Sequence, residues 1–146
     1  MNILSLDPAN LCGWKTKFAS GVINCVSRGY KSKGMKFIKF RAEVKKLIID
    51  SGINIVVYEK PGGRFFSGVR SHANYEGVLL ELCNELKVEF KEYSAGEIKK
   101  YATGKGNANK FDVMLSVMQR WNETPEDDNE ADAIALYYLA KKDFNL

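Results

Sequence analysis

The hydrophobic positions of this 146-residue chain change period several times, and each change predicts an element. Asn2 to Leu6 is a short apolar run halted by Asp7-Pro8, the pattern of a buried strand ending in a turn. Gly13 to Phe18 and Val22 to Ser27, separated by Ser20-Gly21, predict two more strands in a meander. From about Lys33 to Asp50, Met35, Phe37, Ile38, Val44, Leu47 and Ile48 recur at helical spacing among lysines, and Ser51-Gly52 closes that helix. Ile53 to Tyr58 is β-branched enough for a central strand and runs into Glu59-Lys60-Pro61-Gly62-Gly63. After a loop to about Arg70, apolar Tyr75, Val78, Leu79, Leu82 and Leu86 mark an amphipathic helix. Val88 to Tyr93 predicts a fifth strand, and Ser94-Ala-Gly-Glu97 a capping box opening a short helix to about Tyr101. Two helices, about Ala108 to Trp121 and Asn129 to Lys142, flank an acidic turn. Hairpin strands followed by strand–helix alternation imply an α/β fold. Its mixed five-stranded sheet has three antiparallel strands, then parallel ones, with helices on its faces.

Composition adds limits. The length suits one domain, residues 1–146, and no repeat or Pro/Gly-rich linker divides it. No stretch approaches the roughly 18 apolar residues of a membrane span, and the N-terminus lacks a signal-like pattern, so a cytosolic protein is expected. Cys12, Cys25 and Cys83 form no CxxC pair, which argues against a zinc site or disulfide framework. With His72 the single histidine, a metal would be held mainly by oxygen, favouring magnesium or manganese.

Charge is unevenly spread. Residues 1–122 carry 20 basic and 11 acidic side chains, a net +9, whereas residues 123–132 hold six acids and no base. A basic body with one acidic focus suits a protein that grips a polyanion and concentrates divalent metal at one point. An acidic surface loop on a basic protein would look the same.

Asp7 and Glu59 each follow a predicted buried strand directly, and ligands of open α/β sheets collect at such carboxyl ends. Alone, each reads as a solvated strand-end acid. Asn129 and Asp132 lie three apart on the first turn of the last helix, where small residues Ala131, Ala133 and Ala135 permit close packing on a sheet. An acid at a helix start is ordinary capping, but Asp7, Glu59 and Asp132 together could hold a pair of hard cations for phosphodiester hydrolysis.

The motifs then resemble one family. Asp7-Pro-Ala-Asn-Leu-Cys-Gly13-Trp14 is similar to the opening DPG-x-x-x-x-G-[WY] of RuvC resolvases, with Ala9 in place of glycine and three residues rather than four before Gly13. Val57-Tyr58-Glu59 resembles their second acidic motif. Tyr93-Ser-Ala-Gly-Glu-Ile-Lys99-Lys100 through Gly104-Lys105-Gly106-Asn-Ala-Asn-Lys110 resembles their stretch of the form P-x-x-[VI]-K, then G-x-G-x-A-x-K, and Asn129-Glu-Ala-Asp132-Ala their closing [DHN]-x-x-D-A. The predicted strand order is also that of the RNase H-like fold these enzymes share.

The resemblance implies an endonuclease that resolves four-way DNA junctions by paired nicks, leaving 5′-phosphate and 3′-hydroxyl ends. It would use two Mg2+ ions per site, with Mn2+ as substitute. Asp7, Glu59 and Asp132 would bind metal. Asn129, where many relatives have aspartate or histidine, would assist or pass part of its role to Asp128. Lys105, Asn107 and Lys110 would contact DNA, with Lys110 also catalytic. Arg64, Phe66 and Arg70 of the Lys60–Arg70 loop would face the junction, Phe66 by stacking on an unpaired base. His72 is expected to open the next helix or touch DNA rather than ligate metal. A symmetric junction needs a homodimer, with the helix from about Ser71 to Leu86 as its interface. The shortness and departures of the chain fit a phage-type member, so the cytosol would be that of a bacterium or an infected host. Competing readings are a non-catalytic branched-DNA-binding protein, an RNase H-like nuclease for RNA–DNA hybrids, and half of a sugar-kinase-like ATP-binding fold.

Overall fold

A computed structural model of the chain describes residues 1–29, 32–62 and 66–146, the side chains of residues 66–68 excepted. Its elements are β1 Ile3–Asp7, β2 Leu11–Lys15, β3 Ser20–Asn24, α1 Met35–Asp50, β4 Ile55–Glu59, α2 Phe66–Leu86, β5 Glu89–Tyr93, α3 Ala95–Thr103, α4 Lys110–Trp121 and α5 Asp128–Asp143. The strands form one sheet in the order β3-β2-β1-β4-β5, antiparallel across β1, β2 and β3 and parallel across β1, β4 and β5. This is the mixed five-stranded architecture expected from the sequence.

Side-chain alternation along the central strands divides the core in two. Leu4, Leu6, Val56 and Tyr58 face α1 and α2, where Phe40, Val44, Tyr75 and Leu79 meet them. Ile3, Ile55, Val57 and Tyr93 face α3, α4 and α5. Residues 131, 133–137, 139 and 140 of α5 are all buried, as expected for a helix laid along a sheet and covered by two others. Its alanines allow the approach: Ser5 Oγ donates to the Ala133 carbonyl at 2.6 Å, deep in the interface.

β2 and β3 lie about two residues earlier than their apolar runs suggest. The Thr16 side chain is the reason. Its Oγ1 accepts from the main-chain N–H groups of Phe18 and Ala19, and Thr16 N–H donates to the Ala19 carbonyl at 2.8 Å. That turn ends β2 at Lys15. α2 begins at Phe66 rather than near Ser71, so its first turns occupy part of the expected loop. α4 starts at Lys110 behind a capping box in which Asn109 and Asp112 exchange side-chain and backbone hydrogen bonds. Ser94 caps α3 by accepting from Glu97 N–H at 3.1 Å.

None of the described helices is long and apolar enough to cross a membrane.

Candidate functional site

The register of β1 against β4 sets the site. Leu6 pairs with Tyr58, so Asp7 and Glu59 end adjacent parallel strands one step further on. Both share the parity of Ile3, Ile55 and Val57 and therefore face α5. There α5 begins with Asp128 and carries Asn129 and Asp132 in its first two turns. Gly13 on β2 lets that helix come down. A Cβ at Gly13 would sit 1.9 Å from the Asn129 carbonyl oxygen and 2.7 Å from the Glu130 nitrogen.

Ligand atoms of Asp7, Glu59 and His72 all lie within 4.8 Å of one another. Burial and the charges of Glu59, Asp132, Asp128 and Asp127 push the Asp7 carboxyl well above the usual carboxylate range. Burial, then Glu59 and Asp128, push Asp132 up to about 7. Glu59 is raised by burial and drawn back by the Lys99 ammonium. His72, inside α2, is held below its ordinary value by burial, so the imidazole is neutral near pH 7. Its Nε2 is buried and has no hydrogen-bond partner among the described residues.

A cleft beside these groups is lined by Glu59, Lys60, Ser94, Lys99, Lys110 and Asp132. Lys110 reaches Asp128 with Nζ 3.3 Å from Oδ2. Its helix is anchored at the far end, where Trp121 stacks on Tyr138 of α5 at 4.7 Å and 4°. A second opening, lined by Asp7, Asn10, Ser71, His72 and Asn129, meets the carboxylates from the α2 side.

Three strand and helix ends thus bring Asp7, Glu59 and Asp132 together, as the sequence suggests. Asp128 and Asn129 border them, and Asn129 Nδ2 lies 3.4 Å from Asp127 Oδ2. His72 does not open α2, as one expectation had it; it lies within the helix, with a ring nitrogen beside two carboxylates. Lys99, quoted only as part of a motif, lines the cleft with Lys110. Lys105 and Asn107 are exposed on the α3–α4 loop and line neither opening. Arg70 lines a groove against α1 instead of the carboxylate cleft. Arg64 and the side chain of Phe66 lie outside the described residues.

The acidic run divides by role. Glu123 pairs with buried Lys15 at 2.8 Å, and Asp127 caps α5 by accepting from Glu130 N–H at 2.8 Å. Glu130 is buried, accepting from Ser20 Oγ at 2.5 Å and from Glu126 N–H at 2.7 Å. Those three acids hold the start of α5 in place, while Asp132 lines the cleft and Asp128 pairs with Lys110.

Carboxylates this close, most with raised pKa, plus a neutral imidazole with an unpartnered nitrogen, form a donor set that fits a divalent cation. The cost of leaving that set unneutralised should be measurable. Asp132 has a folded value of about 7, above its ordinary 3.8, so folding favours its protonated form. Its contribution to stability is present below about pH 4 and is lost as pH rises through 7. With divalent ions chelated, the melting temperature should fall over that window, and Asp132→Asn should flatten the fall. Mg2+ or Mn2+ at pH 8 should restore stability by mass action. Thermal melts across pH with and without metal read all three.

Comparison with known proteins agrees with this geometry. The structure of Thermus thermophilus RuvC in complex with a Holliday junction substrate superposes with a TM-score of 0.77 at 18% identity, covering 98% of this chain and 96% of that one. The yeast mitochondrial Holliday junction resolvase matches at 0.64 and 9% identity, over 92% and 75% of the two chains. Both establish the fold. In sequence, the crossover junction endodeoxyribonuclease RuvC of Rickettsia akari is 26% identical over 94% of this chain and 95% of its own. That of Pseudothermotoga lettingae is 37% identical over a shorter stretch, 41% of this chain and 38% of its own. The sequence model of the family described as crossover junction endodeoxyribonuclease RuvC matches residues 17–138, most of the chain, and the protein belongs to that family.

Proposed function

We propose that the protein is a junction-resolving endonuclease, working as a single-domain homodimer in the cytosol. It nicks two opposed strands of a four-way DNA junction to leave 5′-phosphate and 3′-hydroxyl ends. The observation that carries this reading is the convergence of Asp7, Glu59 and Asp132, with His72, at one sheet edge beside Lys99 and Lys110.

In this reading Asp7, Glu59 and Asp132 hold two Mg2+ ions, with Mn2+ able to replace them. His72 is a nitrogen donor that suits manganese better than magnesium. Asn129 serves through its amide oxygen, its nitrogen being directed at Asp127. Such ions supply charge stabilisation at the scissile phosphate and a more acidic water. Lys99 and Lys110 bind non-bridging phosphate oxygens and offset the carboxylate charge that would otherwise repel DNA. Burial of Asp7 keeps bulk water from competing for its oxygens. Lys105 and Asn107 contact the backbone further out, Arg64 is assigned to DNA from the sequence, and Phe66 to stacking on a base at the junction centre.

The dimer is proposed to form along α2. Its inner side packs Tyr75, Leu79, Leu82 and Cys83 into the core, while Gly77 opens outward with nothing near its Cβ position and leaves room for a close partner. Asn129 in place of an acid motivates the rival reading of a non-catalytic branched-DNA binder. His72 supports catalysis against it by adding a donor to the same set.

The test uses labelled mobile four-way junction, linear duplex and RNA–DNA hybrid in Mg2+ and, separately, in Mn2+. Selective junction cleavage, with nicks that ligase seals, is expected. Preferential hybrid cleavage would point to a ribonuclease, and tight junction binding without cleavage in either metal to the binder.

A further inference from the structure

A second basic surface lies outside the cleft. A groove of about 440 Å³ runs between the start of α1, with the residues just before it, and the second and third turns of α2, with Ser32, Lys33, Lys36, Phe37, Arg70 and Asn74 on its walls. Three of these side chains are cations, and among the described residues no carboxylate lines it.

The groove joins the carboxylate site along two paths. Arg70 and Asn74 bracket Ser71 and His72 on α2, and those two residues line the opening beside Asp7. Lys36 Nζ also donates to Asn10 Oδ1 at 3.3 Å, and Asn10 lines the same opening. Tyr75 hydroxyl donates to that Asn10 oxygen at 2.7 Å. The Lys36 ammonium lies 5.2 Å and 5.5 Å from the Phe37 and Tyr75 ring centroids, so packing fixes its position.

A phosphodiester chain crossing the carboxylate site meets like charge from Asp7, Glu59, Asp128 and Asp132. Cations on one flank alone would hold it asymmetrically, and Lys99 and Lys110 supply only the α3–α4 flank. We infer that the α1–α2 groove binds the sugar–phosphate backbone on the opposite flank, so that DNA is gripped on both sides of the scissile phosphate. The inference rests on the nuclease reading above.

Binding to a four-way junction in Ca2+, measured across salt concentrations, tests it. Lys33→Ala/Lys36→Ala removes two phosphate-binding cations and should reduce the slope of log affinity against log salt by about 1.8. Lys45→Ala/Lys46→Ala, further along α1, removes equal charge and should leave the slope nearly unchanged. Lys33→Ala/Arg70→Ala keeps the packed Lys36 and should reproduce the smaller slope without disturbing Tyr75. Equal slopes for groove and control pairs, or an unchanged slope in both groove variants, would overturn the groove assignment. Wild-type cleavage in Mg2+ is read in parallel. A protein that binds but never cuts refutes the nuclease reading, while the slopes still decide the groove.

Discussion

Asp7→Asn should abolish junction cleavage while leaving junction binding within a few-fold of wild type. The substitution keeps shape and removes one charge from the most buried acid of the site. A cation that loses this ligand loses its hold between β1, β4 and α5, and the several kcal/mol it contributes to transition-state charge stabilisation go with it. That corresponds to a rate loss of roughly 10²–10⁴-fold. Binding should survive because the proposed phosphate contacts lie on lysines and arginines elsewhere, and removing a negative charge from the path of DNA costs no attraction. The same change relieves repulsion among Asp7, Glu59 and Asp132, so with metal chelated Asp7→Asn should melt above wild type. Single-turnover cleavage, a binding titration and a melt separate these effects. A variant that cuts at wild-type rate would remove Asp7 from the site.

Gly13→Ala should damage both fold and activity through one methyl group. The new Cβ would meet the main chain of Asn129 and Glu130, at 1.9 Å from oxygen and 2.3 Å from carbon, and main chain cannot rotate aside. The first turn of α5 must lift off β2, carrying Asn129 and Asp132 with it. Overpacking of this kind costs about 1–3 kcal/mol or more, and a chain of this size loses about 2–4 °C per kcal/mol. Cleavage should fall further than stability explains, because the displaced turn bears Asp132, a carboxylate proposed to hold metal. Gly96→Ala is the control. At Gly96 on α3 the nearest atom to an added Cβ is 4.0 Å away, so a neutral or slightly stabilising effect is expected. A Gly13→Ala protein that melts and cuts like wild type would mean that β2 and α5 are not packed this closely.

Much of this was legible in the sequence, for identifiable reasons. An acid ending an apolar strand announces its position, since strand parity and the sheet's carboxyl edge follow from the run before it. Asp7 and Glu59 were therefore placed by local pattern. Asp132 was placed by its helix start and its alanine neighbours. His72 was not, because its place depends on where α2 crosses the sheet edge, and α2 begins at Phe66, nine residues before Tyr75, where its apolar periodicity shows. The division of labour in the acidic run was hidden for a similar reason. Glu123 and Glu130 find Lys15 and Ser20 across separations of 108 and 110 residues, contacts that no local window contains. The Asn109–Asp112 capping box could have been read directly from its spacing, and would have fixed the start of α4 at Lys110.

The central claim is paired incision of a branched DNA by a site built on Asp7, Glu59 and Asp132. A supercoiled plasmid that extrudes a cruciform tests it most directly, because two nicks made within one binding event yield a linear molecule. Linear plasmid with ligatable ends is expected in Mg2+, and no product in chelator or with Asp7→Asn. Persistence of intact supercoiled plasmid, or nicked circles alone, would contradict it.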